Sequence, residues 1–138
     1  QISDVKMSIK LIYEEELLGT AGTLRKNLHL FNDSNVLLIH ADNYTNLNLL
    51  EFLKSFYNRN KKCLLSMVTF TTNKPHECGI VEADEEGIMQ NYFEKIIDPP
   101  SNIANGAIFA FDQKFLDFFL LISDLLKHSD LRSEAKVR

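Results

Sequence analysis

Tryptophan is absent from this 138-residue chain, cysteine occurs twice, proline three times and glycine five times. Cys63 and Cys78 show no Cys-x-x-Cys spacing, which excludes a disulfide scaffold or zinc knot and favours reduced thiols in a cytoplasmic protein. So little glycine and proline excludes collagen and low-complexity linkers. Basic runs are also missing: 15 Lys and Arg against 19 Asp and Glu leave a formal charge of −4. Nucleic acid is therefore not an expected partner, because phosphate backbones are bound by clustered Lys and Arg. No apolar run approaches the ~18 to 20 residues that span a bilayer, and no charged, apolar, small-residue leader opens the chain, so no membrane partner is expected either. What is present, 45% hydrophobic and 25% charged residues, suits one globular domain over residues 1–138. Such a length buries roughly two-thirds of the unfolded surface without staples. Residue 1 is Gln and the first residues already read as the inside of a domain, so a fragment or processed chain is expected.

Periodicity divides the chain into alternating elements. The second half of Val5 to Tyr13 reads as a strand. Leu17-Leu18-Gly19-Thr20-Ala21-Gly22-Thr23-Leu24 reads as a small-residue loop running into a helix with Leu24, Leu28 and Phe31 on one face. Val36 to Ile39 is an unbroken apolar run, as in a strand covered on both faces, and it delivers Asp42 just past its carboxyl end. Leu47 to Tyr57 predicts an amphipathic crossover helix, and Cys63 to Thr71 the next strand. Gly79 to Glu82 and Ile88 to Phe93 predict a hairpin around an acidic turn. Ala107 to Phe111 predicts a further strand, with Asp112 capping a final helix. The expected fold is α/β and Rossmann-like: a mixed, mostly parallel sheet flanked by helices.

The final helix is apolar nearly all round, with Asp117 the one polar residue from Phe115 to Ile122. Such a surface calls for cover, from chain beyond Arg138 or from a second subunit in a homo-oligomer.

Taken singly, the polar residues leave alternatives open. Asp42 at a strand's carboxyl end suits a Mg²⁺ ligand working on phosphates, or a turn aspartate bonded to its own backbone. The glycines of Gly19 to Gly22 admit a ligand close to the backbone or simply make a turn, and they lack the spacing and lysine of a P-loop. Glu94 and Lys95 face opposite sides of a strand; at its end both reach one ligand, or both are solvated edge residues. His29, His40, His76 and His128 share no metal-ligand spacing, and no nucleophilic triad can be assembled from this order.

In sequence order the chain carries Leu17-Leu18-Gly19-Thr20-Ala21-Gly22-Thr23-Leu24, Ala41-Asp42-Asn43 after an apolar strand, Cys78-Gly79-Ile80-Val81-Glu82, Phe93-Glu94-Lys95, and Ala104-Asn105-Gly106-Ala107-Ile108-Phe109. From Ile9 to Phe111 this series resembles the sugar-phosphate nucleotidyltransferases, the family of mannose-1-phosphate guanylyltransferases and glucose-1-phosphate thymidylyltransferases. The resemblance implies that Leu18, Gly19, Thr20, Ala21 and Gly22 read a nucleobase. It implies that Asp42 holds a catalytic Mg²⁺ against nucleotide phosphates and that Lys95 meets the sugar phosphate. Gly79, Glu94, Asn105 and Gly106 become the sugar-contacting positions. The implied reaction joins a nucleoside triphosphate, with GTP favoured, to a sugar 1-phosphate and releases pyrophosphate. Its nucleophile belongs to the substrate, so positioning and charge neutralisation carry catalysis.

Two departures accompany the likeness. Nothing before Gly19 resembles the family's glycine-rich loop that grips the triphosphate, and Asp117, Asp124 and Asp130 stand in the wrong context for its second metal aspartate. The chain is therefore expected to be the central part of such a domain, truncated at both ends and weak or inactive alone. Rival expectations are a non-catalytic module that binds a sugar nucleotide, and an interaction domain that assembles through the final helix.

Overall fold

A computed structural model gives the fold, describing residues 8–31 and 34–128, with side chains of the last helix through residue 124. The chain divides into two compact units, Gln1–Leu30 and Phe31–Arg138.

In the first unit, residues 8–13 form no strand, which corrects the expected one; Val5 to Met7 lie outside the described residues. Ile9, Leu11 and Tyr13 are strongly exposed. The alternation there supplies β propensity, but a strand also requires a partner ladder, and these residues have none. Helix α1 spans Gly19–Lys26, so the small-residue loop expected at Gly19 to Gly22 is already helical. Gly19 opens it at φ +69°, a backbone that only glycine adopts at little cost. Gly22 is required by contact: a Cβ there would stand 2.7 Å from Leu18 Cβ. At the far end Asn27 closes the helix, its side-chain amide donating to Thr23 O at 2.9 Å, while Arg25 and Lys26 complement the helix dipole.

The second unit is a five-stranded sheet with two helices. Strands β1 (Val36–Ile39), β2 (Leu65–Thr71), β3 (Gly79–Ala83), β4 (Met89–Glu94) and β5 (Ile103–Phe111) alternate with α2 (Leu49–Tyr57) and precede α3 (Gln113–His128). The α/β class stands, but the expectation of a mostly parallel sheet does not: every strand pair is antiparallel. The register explains the difference. Phe111, Ala110 and Phe109 of β5 pair with Val36, Leu37 and Leu38 on one side and with Leu65, Ser66 and Met67 on the other. β1 and β2 are thus parallel to each other, as a helical crossover through α2 demands, yet β5 separates them and runs against both. The apolar run Val36 to Ile39 does not report the direction of its neighbours, and the cover expected on both faces is also absent: the strand is half-buried, with Ile39 exposed.

Local chemistry fixes each join. Asn48 caps α2, its Oδ1 accepting the Glu51 N–H at 3.3 Å. The β3–β4 hairpin closes through Asp84, whose Oδ1 accepts the N–H groups of Glu86 (3.0 Å) and Ile88 (2.9 Å), with Gly87 at φ +76°. Asp112 caps α3 as expected, Oδ1 accepting the Lys114 N–H at 3.1 Å. Its other oxygen accepts from Arg59 at 2.6 Å, and the same guanidinium donates to Phe56 O and Cys63 O, both at 2.9 Å, while lying 4.0 Å from the Phe56 ring centroid. One side chain therefore ties the end of α2, the start of β2 and the start of α3. Phe56, Ile80, Ala104, Ile108, Ala110, Phe111 and Leu116 form the core. On α3, Phe115 packs on Phe111 with centroids 4.6 Å apart, whereas Phe118 and Leu121 are exposed. Among the described residues no helix is long and apolar enough to cross a membrane.

Candidate functional site

β5 changes partner along its length. Its C-terminal half pairs with β1 as far as Ile108 opposite Ile39, and on the same edge Ala104 pairs with Ile80 of β3. Between these ladders the strand is bulged: Met67 to Thr69 of β2 spans Phe109 to Asn105 of β5. Ala107 sits at φ +53°, and Asn105 Oδ1 accepts the Ala107 N–H at 2.8 Å, stabilising the kink. Gly106 faces β2, where a Cβ would come 3.0 Å from Val68 O. The strand expected at Ala107 to Phe111 begins earlier, at Ile103, and runs through Asn105 and Gly106 as a bulge.

The predicted residues converge here. After β1 the chain turns through His40 to Asn43, with Asn43 N–H donating to His40 O at 3.1 Å. Its side-chain amide reaches across to Gly106 O at 3.1 Å, which sets the Asp42 turn against the bulge. Asp42 itself is exposed and makes no hydrogen bond among the described residues. On the other ladder Gly79 stands opposite Glu94. Tyr92, two residues before Glu94 and so on the same face of β4, donates its phenol proton to Glu94 Oε2 at 2.7 Å. Burial pushes the Tyr92 phenol above its ordinary value; the Asn105 side chain opposes this, while the hydrogen bond and charge of Glu94 reinforce it. The phenol therefore remains a donor beyond the usual tyrosine range. Lys95 leaves β4 at φ +49°, its N–H donating to Cys78 O at 3.2 Å, so strand alternation no longer governs where its side chain goes.

Asp42, Gly79, Glu94, Lys95, Asn105 and Gly106 thus lie on the turn, strand ends and bulge beside the place where β1 gives way to β3 along β5. Leu18 to Gly22 lie in the first unit, as the lead-in and first turn of α1. A family model described as "Nucleotidyl transferase" matches residues 1–136.

The chain belongs to the nucleotidyl transferase family.

Among its relatives is a glucose-1-phosphate adenylyltransferase of Clostridium acetobutylicum, 27% identical over 105 residues, which are 74% of this chain and 28% of that protein. A mannose-1-phosphate guanylyltransferase of Mycobacterium tuberculosis is 23% identical over 115 residues, 83% of this chain and 32% of its own. The catalytic subunit beta of a Drosophila melanogaster mannose-1-phosphate guanylyltransferase is 28% identical over 116 residues, 81% of this chain and 31% of that one. This nucleotidyl transferase chain spans less than a third of the length of these relatives.

The donor set of this nucleotidyl transferase suits magnesium in one particular way. Among the described residues no three His, Cys, Asp or Glu side chains gather to hold a metal. Mg²⁺, however, is commonly held by one or two carboxylates together with substrate phosphates and water, and an exposed, uncommitted Asp42 fits that mode. The sequence reading missed Tyr92, although the Tyr-x-Glu spacing on a strand was the available signal, and it missed Asn43, which anchors the Asp42 turn. A separate cavity of about 560 Å³ runs between α2 and the strands, among Phe52, Arg59, Met67, Val81 and Met89. It holds one carboxylate, Glu86, and its one cation, Arg59, is bonded to Asp112.

Proposed function

We propose that this chain supplies the sugar-phosphate and metal-binding part of a nucleotidyltransferase that makes a nucleotide sugar and pyrophosphate from a nucleoside triphosphate and a sugar 1-phosphate. The observation that carries the reading is the convergence of Asp42, Glu94, Lys95, Asn105 and Gly106, from three separate stretches of sequence, on the partner switch of β5. Glu94 accepts hydrogen bonds from sugar hydroxyls, Asn105 and the Gly106 backbone flank the sugar, and Gly79 leaves room beside Glu94 for the Tyr92 phenol. Lys95 meets the sugar phosphate, and Asp42 holds Mg²⁺, which when bound neutralises charge on the nucleotide phosphates. The first-turn amides of α1, which no helix can satisfy internally, read the base at Leu18 to Gly22. The relatives are named for guanylyl and adenylyl transfer, which supports a purine nucleotide. The Gly-Thr-Ala-Gly turn favours GTP, and mannose 1-phosphate or a heptose phosphate is the first acceptor to try, glucose 1-phosphate the second.

Pyrophosphate release from GTP or ATP with a panel of sugar 1-phosphates, measured on the polypeptide that carries this chain, tests the reading. Product with at least one pair, lost on chelation of Mg²⁺, is the expected result; a folded protein with no product from any pair overturns it and favours a non-catalytic sugar-nucleotide-binding module.

Lys95 offers a sharper test. A left-handed backbone costs a non-glycine residue roughly 1 kcal/mol, so a lysine there is retained against local strain. Lys95→Gly is expected to leave the urea midpoint unchanged or raised by up to about 1 kcal/mol of stability, while transfer falls about a hundredfold through loss of the phosphate-facing charge. Steady-state kinetics alongside equilibrium unfolding reads both.

A further inference from the structure

The space beside Gly79 has an occupant. A Cβ on Gly79 would overlap the Tyr92 phenol oxygen outright and stand 2.6 Å from ring carbon Cζ and 3.1 Å from Glu94 Oε2. The glycine is thus needed for the phenol tip of a side chain of this chain to sit against its backbone, independently of any ligand. From that seat the phenol donates to Glu94 at 2.7 Å and faces the side chain of Asn105, whose Oδ1 is committed to the Ala107 N–H. Two residues assigned above to the sugar therefore share one phenol.

Resting on the sugar-phosphate reading above, we propose that Tyr92 is a positioning residue of the sugar subsite: its phenol, seated against Gly79, aims the Glu94 carboxylate and the Asn105 amide at the sugar hydroxyls. One Glu94 oxygen is held by the phenol, which restricts the carboxylate to a narrow set of rotamers and leaves its other oxygen to accept from the substrate. Fixing an acceptor before binding removes the cost of ordering it afterwards, so the effect falls on recognition of the sugar half of the reaction and not on the nucleotide.

The test is a double-mutant cycle on the full polypeptide, with KM measured separately for sugar 1-phosphate and nucleoside triphosphate and with denaturation midpoints recorded for each variant. Tyr92→Phe keeps the ring and removes the hydroxyl. It is expected to raise the sugar 1-phosphate KM about tenfold, the worth of a hydrogen bond to a charged group, while the triphosphate KM stays within about twofold. Gly79→Ala is expected to raise the sugar 1-phosphate KM about tenfold or more in the wild-type background and by less than about twofold in a Tyr92→Ala background, because the clash partner is gone. An unchanged sugar KM in Tyr92→Phe, or an equal cost of Gly79→Ala in both backgrounds, overturns the proposal and returns Gly79 to direct contact with the substrate. If Tyr92→Ala does not fold, Tyr92→Phe alone decides. Glu94→Gln separates the two levels of argument: a normal sugar KM in that variant sinks the sugar-phosphate reading itself, whereas a raised KM there with a silent Tyr92→Phe sinks only the role of Tyr92.

Discussion

Asp42→Asn is expected to lower nucleotidyl transfer about a thousandfold or more while leaving the protein as stable as before. The residue is exposed and makes no hydrogen bond among the described residues, so the substitution removes a charge and no fold contact. The tie that shapes the turn belongs to its neighbour, Asn43, through Gly106 O. A single carboxylate that neutralises charge on transferring phosphates through Mg²⁺ contributes several kcal/mol to the barrier, and each ~1.4 kcal/mol is a factor of ten in rate. Pyrophosphate release and a denaturation curve measured on the same preparation check the two halves together. Loss of stability with loss of rate would make Asp42 a structural turn residue; full rate with full stability would remove it from the reaction. Asn43→Ala is the natural companion, since it leaves the carboxylate in place and loosens only its anchor.

Arg59→Ala is expected to destabilise the second unit by about 3 kcal/mol. The side chain is only 16% exposed and satisfies Phe56 O, Cys63 O and Asp112 Oδ2 while covering the Phe56 ring. Losing it strands two carbonyls and a carboxylate together. With a urea dependence of roughly 2 kcal/mol per molar for a domain of this size, the midpoint falls by about 1.5 M. Arg59→Lys recovers less than half, since an ammonium cannot reproduce the planar fork. Acid should narrow the gap. Burial raises the Asp112 carboxyl, but the Arg59 hydrogen bond and charge, with the Lys114 and Phe115 amides, outweigh it and hold the group below its ordinary 3.8. A depressed carboxyl contributes stability that is complete above its unfolded value and is lost as pH falls through its folded value. The wild type therefore loses more than Arg59→Ala on acidification below about pH 4, and the difference in midpoint shrinks without vanishing, because the two carbonyl bonds do not titrate. A gap independent of pH would assign the cost to packing and the two carbonyl bonds, with nothing from the Asp112 pair.

What could be seen in the sequence follows from how local each signal is. The amphipathic run ending at Tyr57, Asp112 before an apolar run and Gly87 in an acidic turn are decisions made within a few residues, and each element they mark is present. Strand direction is not local. Val36 to Ile39 and Leu65 to Thr71 flank a helix and are indeed parallel to each other, but only residues forty positions downstream of β2, roughly, decide that an antiparallel strand lies between them. Asn105 and Gly106 stood out only through the family resemblance and not as a bulge, since the bulge exists only relative to Val68. For the site, the ordered motifs identified the family, and the neighbours of Asp42 and Glu94, Asn43 and Tyr92, both meet the Asn105-Gly106 bulge of β5. Tyr92 escaped because a tyrosine in a strand ordinarily reports β propensity, and its meaning here lies in a glycine on the neighbouring strand.

The central place of β5 also sets an order of events on the ribosome. The hairpin of β3 and β4 can zip as soon as it leaves the exit tunnel, but β1 and β2 have no neighbour until Ile103–Phe111 has been synthesised. While the residues between β2 and β5 are being made, β1 and β2 wait with bare edges, an interval in which nascent chains are prone to pair with one another or to recruit a chaperone.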